Sequence, residues 1–106
     1  MIPFAEFKKL DIRVATVKSV ENHPNADKLY VMRVDLGDGE RQIVAGLRGH
    51  YAPEDLQGKT IVMVANLEPA VLRGVESQGM LLAVQDGSRV VLLRPDGEVA
   101  PGSKVL

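Results

Sequence analysis

The sequence predicts an all-β fold, a five-stranded barrel with one short helix between strands three and four and extensions at both ends. Three observations carry this. Runs of β-branched and apolar residues alternate with polar ones. Glycine-bearing turn signals, Gly37-Asp38-Gly39, Asp86-Gly87 and Asp96-Gly97, punctuate those runs. Between the third and fourth runs, only Pro53-Glu54-Asp55-Leu56 has the proline and acids that a first helical turn accepts.

Pro3 to Leu10 reads as a short amphipathic lead-in helix with Phe4, Phe7 and Leu10 on one side. Asp11 to Val20 is the first strand, with Ile12, Val14, Thr16 and Val20 on one face and Arg13, Ala15, Val17 and Ser19 on the other. His23-Pro24-Asn25-Ala26-Asp27 is loop chemistry, because Pro24 restricts the residue before it and Asn25 and Asp27 suit local side-chain turns. Lys28 to Leu36 and Glu40 to Ala45 form an antiparallel pair across the Gly37-Asp38-Gly39 turn. A helix starts near Ala52 and stops at Gly58. Thr60 to Ala65 is apolar on both faces and so reads as a central strand. A long loop then runs through Glu68-Pro69 and Arg73-Gly74 to a fifth strand, Gly79 to Val84. Val90 to Leu93 is a further strand, and Ser103 to Leu106 closes the chain. Five strands with a helix between the third and fourth match the Greek-key barrel called the OB-fold, and an unspecified small β-barrel is the alternative.

The 106 residues are expected to form a single domain, burying roughly two-thirds of the unfolded surface. The absence of cysteine excludes disulfides and thiolate metal sites, which fits a reducing compartment and makes the cytoplasm the expected location. No apolar run approaches the roughly 18 residues of a membrane span, so no membrane partner is expected. Thirteen Lys and Arg against fourteen Asp and Glu leave a net charge of −1 and a pI near 6.1. Bulk attraction to phosphate is therefore not expected, and binding to nucleic acid has to rest on a local cluster and on shape.

Residues 66 to 83 supply such a cluster. Arg73, Ser77, Gln78 and Met80 lie on one glycine-punctuated stretch directly before an apolar run. Enzymatic readings find no footing there. Gly74-Val75-Glu76-Ser77-Gln78-Gly79 has one residue too many before its serine for a nucleophile elbow. His23 and His50 lack metal-ligand spacing, and no phosphate-binding loop follows Gly37, so neither catalysis nor a cofactor is expected.

Taken together, Asp11-Ile12-Arg13-Val14, His23-Pro24-Asn25-Ala26-Asp27-Lys28-Leu29, Val34-Asp35-Leu36-Gly37, Arg41-Gln42-Ile43-Val44-Ala45-Gly46 and the Asn66 to Ala83 segment resemble the tRNA-binding domain family. Its members include stand-alone dimeric tRNA-binding proteins and the C-terminal domain of many methionyl-tRNA synthetases. The resemblance implies an OB-fold that recognises tRNA by shape, as a homodimer, with a methionyl-tRNA synthetase as a possible associate. By motif it assigns tRNA contact to Lys28, Ser77 and Met80, with Arg41, Arg73 and Gln78 beside them. It places the dimer contact in the lead-in and the C-terminal region, here Phe4, Phe7 and Leu10 with Val91, Leu93 and Val105. A branch of the same family resembles a bacterial export chaperone, so a chaperone-like protein-binding or synthetase-assembly module is the alternative. Residue chemistry leaves competing roles open. Lys28 could end a strand in solvent, Arg41 could pair with Asp35 or Glu40, Met80 could pack in the core, and a turn bond would account for Ser77. Arg13 is a candidate structural partner for Asp11. Ala70 and Val71 stand where many relatives carry a basic residue, which removes possible phosphate contacts.

Overall fold

The computed structural model describes all residues 1–106. Its centre is a sheet in the order β3-β2-β1-β4-β7, built from β1 (Ile12–Asn22), β2 (Tyr30–Asp35), β3 (Glu40–Ala45), β4 (Thr60–Val64) and β7 (Met80–Leu81). Helix α2 (Pro53–Leu56) joins β3 to β4, which gives the OB-like barrel that the sequence predicts. Helix α1 is a single turn, Phe4–Phe7, and no helix is long and apolar enough to cross a membrane.

β1 binds three partners because it is long enough to be shared. Its second half pairs with β2, and its first half with β4. The C-terminal segment covers the remaining edge, with Val14 N donating to Ser103 O at 3.0 Å and Val105 N to Ile12 O at 2.8 Å. Gly102 permits that crossing, since a Cβ there would lie 2.2 Å from Leu36 O.

Register within β1 shifts at Lys18, where Val17 faces Val34 but Ser19 faces Arg33. Strict alternation would put Val17 and Val20 on opposite faces, and the bulge turns both toward the core. That core holds Ala15, Val17, Met32, Val34, Ile43, Ile61 and Met63, with Leu56 of α2 fully buried among them. Burying a leucine contributes about 1.5–3 kcal/mol, enough to anchor a one-turn helix that could not stand alone. β4 is buried on both faces, as its apolar run predicts.

Two expected elements differ. The predicted fifth strand is divided, because after β7 the chain turns at Leu82 and β8 (Ala83–Asp86) pairs with β9 (Arg89–Leu92) as a separate ribbon. The expected loop between β4 and β7 contains a hairpin, β5 (Ala70–Leu72) and β6 (Val75–Ser77). Its turn is Arg73-Gly74, with φ of 53° and 91°. Two positive φ values in succession suit a type I′ hairpin turn, whose usual sequence is Asn-Gly, and arginine masks that signal.

Candidate nucleic-acid interface

The β5–β6 hairpin folds back on the loop between β1 and β2 and is clasped there. Asn25 Nδ2 donates to Arg73 O at 3.3 Å, and Arg73 Nη2 donates to Asn25 O at 3.2 Å. The His23 ring lies beneath, 3% exposed, with Nε2 2.9 Å from Leu72 O. A non-glycine residue at positive φ costs about 1–2 kcal/mol, and these bonds offset that cost at Arg73. The loop carrying Lys28 is thus held against the turn carrying Arg73, and both cations are exposed. None of the four salt bridges involves Lys28, Arg41 or Arg73.

Closure of the barrel places the second group. β3 is an edge strand, and its open edge, away from β2, is met partly by side chains. Gln78 N donates to Gln42 O at 2.8 Å, while Gln42 N donates to Gln78 Oε1 at 3.1 Å. Ser77 Oγ accepts from Val44 N and donates to Gly79 O, each at 2.9 Å. Ser77 and Gln78 therefore supply the bonds that a sixth ladder strand would make. The Ser77 hydroxyl faces inward, since the residue is 5% exposed. Gly79 fits behind it because φ is 144° and a Cβ would sit 2.6 Å from Met63 Cε.

Arg41 donates through Nη1 to Ala65 O and lines a hollow with Glu40, Leu67, Pro69 and Gln78. It pairs with neither carboxylate that the sequence offers, because Glu40 meets Arg33 at 3.5 Å and Asp35 Oδ1 accepts from Gly37 N. Met80 opens β7 opposite Val64 but stands 50% exposed, outside the core. It shares an apolar groove of about 580 Å³ with Leu67, Leu72, Leu47 and Val90. The structure thus holds the loop of Lys28 against the turn of Arg73, sets Arg41 beside Gln78 and Met80 beside the hairpin, and buries Ser77.

Sequence reasoning missed His23, Asn25 and Gln42, whose partners lie 49, 48 and 34 residues away along the chain. Only Arg13 could be placed locally, and it does meet Asp11, Nε lying 2.9 and 3.0 Å from the two carboxylate oxygens. That hydrogen bond holds the Asp11 carboxyl below its ordinary value, against a smaller opposing effect of burial.

The chain and its fold have counterparts. A family model described as "Putative tRNA binding domain" matches residues 12–104. The methionine–tRNA ligase of Thermococcus kodakarensis is 60% identical over 104 residues, which are 98% of this chain and 14% of that protein. The chain thus spans about a seventh of the length of the first curated relatives it matches. A MetRS related protein from Pyrococcus horikoshii superposes with a TM-score of 0.92 at 37% identity, covering 100% of this chain and 98% of that one. The CsaA chaperone protein from Picrophilus torridus does so at 0.93 and 33%, covering 100% of both.

Proposed function

The chain belongs to the tRNA-binding domain family, and on that premise we propose that it is a non-catalytic module that binds folded tRNA through the face bearing the β5–β6 hairpin. One observation carries this reading: the hairpin is clasped to the β1–β2 loop, so the turn of Arg73 is held against the loop that carries Lys28, and neither exposed cation forms a salt bridge in a protein of net charge −1. Arg41 and Gln78 extend that surface, and Met80 offers a deformable thioether to a base or ribose. Ser77 serves it from below by holding the barrel edge. Recognition then depends on phosphate spacing and ribose edges, as expected for a folded RNA.

The module acts as a homodimer in this reading. Phe4 is 71% exposed, its ring stacks on Phe7 at 6.3 Å, and α1 buries none of its own residues. Leu10, Leu93 and Val105 are exposed and Val91 is half-buried, so the lead-in and the C-terminal region offer apolar surface for a second copy. Two weak sites on one tRNA gain effective concentration without a basic pI. The cytoplasm, where tRNA is charged, is its place, and a methionyl-tRNA synthetase is its associate or its parent chain. Likeness to the CsaA chaperone, together with the apolar groove beside Met80, favours unfolded polypeptide as a second ligand class.

Titration of labelled tRNA at several salt concentrations, with duplex DNA as competitor, tests the reading. Saturable, salt-sensitive binding that DNA does not displace is the expected result. Absence of binding at low salt, with capture of unfolded polypeptide that survives Lys28→Ala and Arg73→Ala, would replace it by the chaperone reading. Sedimentation showing monomer alone at micromolar concentration would remove the dimer.

A further inference from the structure

His23 is a buried histidine that no contact with RNA explains, since its ring is covered and both its nitrogens are engaged inside the protein. The Asn25 backbone N–H lies 2.9 Å from Nδ1 and can only donate, so Nδ1 carries the lone pair. Leu72 O lies 2.9 Å from Nε2 and can only accept, so Nε2 carries the hydrogen. One neutral tautomer satisfies both. His23 N also donates to Leu29 O at 3.1 Å, which fixes both ends of the loop that presents Lys28. A single rigid ring thus closes a turn at His23–Asn25 and reaches the strand end that precedes Arg73.

We propose that His23 is a positioning residue for RNA binding: through its two ring nitrogens it fixes the β1–β2 loop to the β5–β6 hairpin, and so sets the spacing of Lys28 and Arg73. This rests on the tRNA reading above. The loops are ordered before the ligand arrives, so ordering them does not oppose binding. Asparagine at this position keeps an acceptor for the Asn25 N–H but is too short to reach Leu72 O. Glutamine is long enough to restore the Leu72 bond.

The experiment compares tRNA binding and hairpin amide exchange in the wild-type chain, His23→Asn, His23→Gln and Asn25→Ala, each at a temperature where circular dichroism shows it fully folded. His23→Asn is expected to raise Kd about tenfold, equivalent to one lost hydrogen bond of about 1.4 kcal/mol, and to speed exchange across residues 70–77. His23→Gln is expected to recover binding to within about threefold of wild type. Imidazole nitrogen spectra of the wild type are expected to show the hydrogen on Nε2. Binding by His23→Asn within about threefold of wild type, or equal losses in both His23 variants, overturns the proposal. If His23→Asn fails to fold, His23→Gln decides, because a loss of binding of about tenfold or more with hairpin exchange unchanged overturns the proposal and binding within about threefold of wild type supports it, while Asn25→Ala, which keeps both ring bonds, reports on the Asn25–Arg73 bond alone. If the wild type itself binds no tRNA, the underlying reading fails, and unchanged hairpin exchange in His23→Asn would separately refute the clasp.

Discussion

Replacing Ser77 by alanine separates a hydroxyl that meets RNA from one that closes the barrel. In the folded chain this hydroxyl makes two 2.9 Å hydrogen bonds, from Val44 N and to Gly79 O, in a residue 5% exposed. The Ser77→Ala change would leave the Val44 N–H, itself in a residue 7% exposed, with no partner. An unsatisfied buried donor costs about 1–3 kcal/mol, and the Gly79 carbonyl adds a smaller loss, so the expected destabilisation is about 2 kcal/mol. For a domain near this size 1 kcal/mol moves Tm by about 4–8 °C, which predicts a fall of about 8–16 °C. Scanning calorimetry reads that shift, and urea unfolding at low temperature reads the free energy directly. A tRNA titration under the same cool conditions, where Ser77→Ala is still folded, is expected to change Kd by less than about threefold and to leave the salt slope unaltered. An unchanged Tm with a tenfold or larger loss of tRNA affinity would refute the reasoning and place the hydroxyl on the RNA.

Met80→Ala is expected to cost less than about 1 kcal/mol of stability, because half the side chain is already in solvent, yet to weaken tRNA binding by roughly fivefold without altering the salt slope; a large drop in Tm would return Met80 to the core. Arg73→Gly relieves the positive φ while losing the bond to Asn25, so stability should stay within about 1 kcal/mol of wild type. Its salt slope for tRNA should fall by about 0.7–0.9, and an unchanged slope would show that Arg73 meets no phosphate. Asp11→Asn removes a carboxyl whose folded-state pKa is depressed by Arg13. Such a group stabilises the fold above its unfolded value of about 3.9 and loses that contribution as pH falls through the lower folded value. Urea midpoints of wild type and Asp11→Asn should therefore differ at neutral pH and converge in strong acid, and a gap that is constant with pH would contradict the ion pair.

Legibility of the fold in the sequence follows the range of the interactions involved. β2, β3 and the turn between them were readable because pattern, register and Gly37-Asp38-Gly39 lie close together along the chain, as did the apolar run of β4. The β5–β6 hairpin was not, since its turn uses arginine where asparagine is usual and relies on Asn25 to hold it. The division at Leu82 was hidden for another reason: one apolar run serves two sheets, and Leu82 N is bonded to Val62 O while the ribbon beyond pairs with β9. At the site, the cations were legible as types, Arg73 in a loop and Lys28 at a strand start that the structure moves to Tyr30. What assembles them was not, because His23, Gln42 and the inward hydroxyl of Ser77 act through partners far along the chain.

Amide chemical-shift mapping on addition of tRNA tests most directly the claim that the clasped loops and the barrel seam form the RNA surface. Perturbation concentrated at residues 25–29, Arg41, Arg73-Gly74, Gln78 and Met80, and weakened by added salt, is the predicted result. Shifts confined to α2 and the Asp86–Arg89 turn, with the hairpin silent, would contradict it.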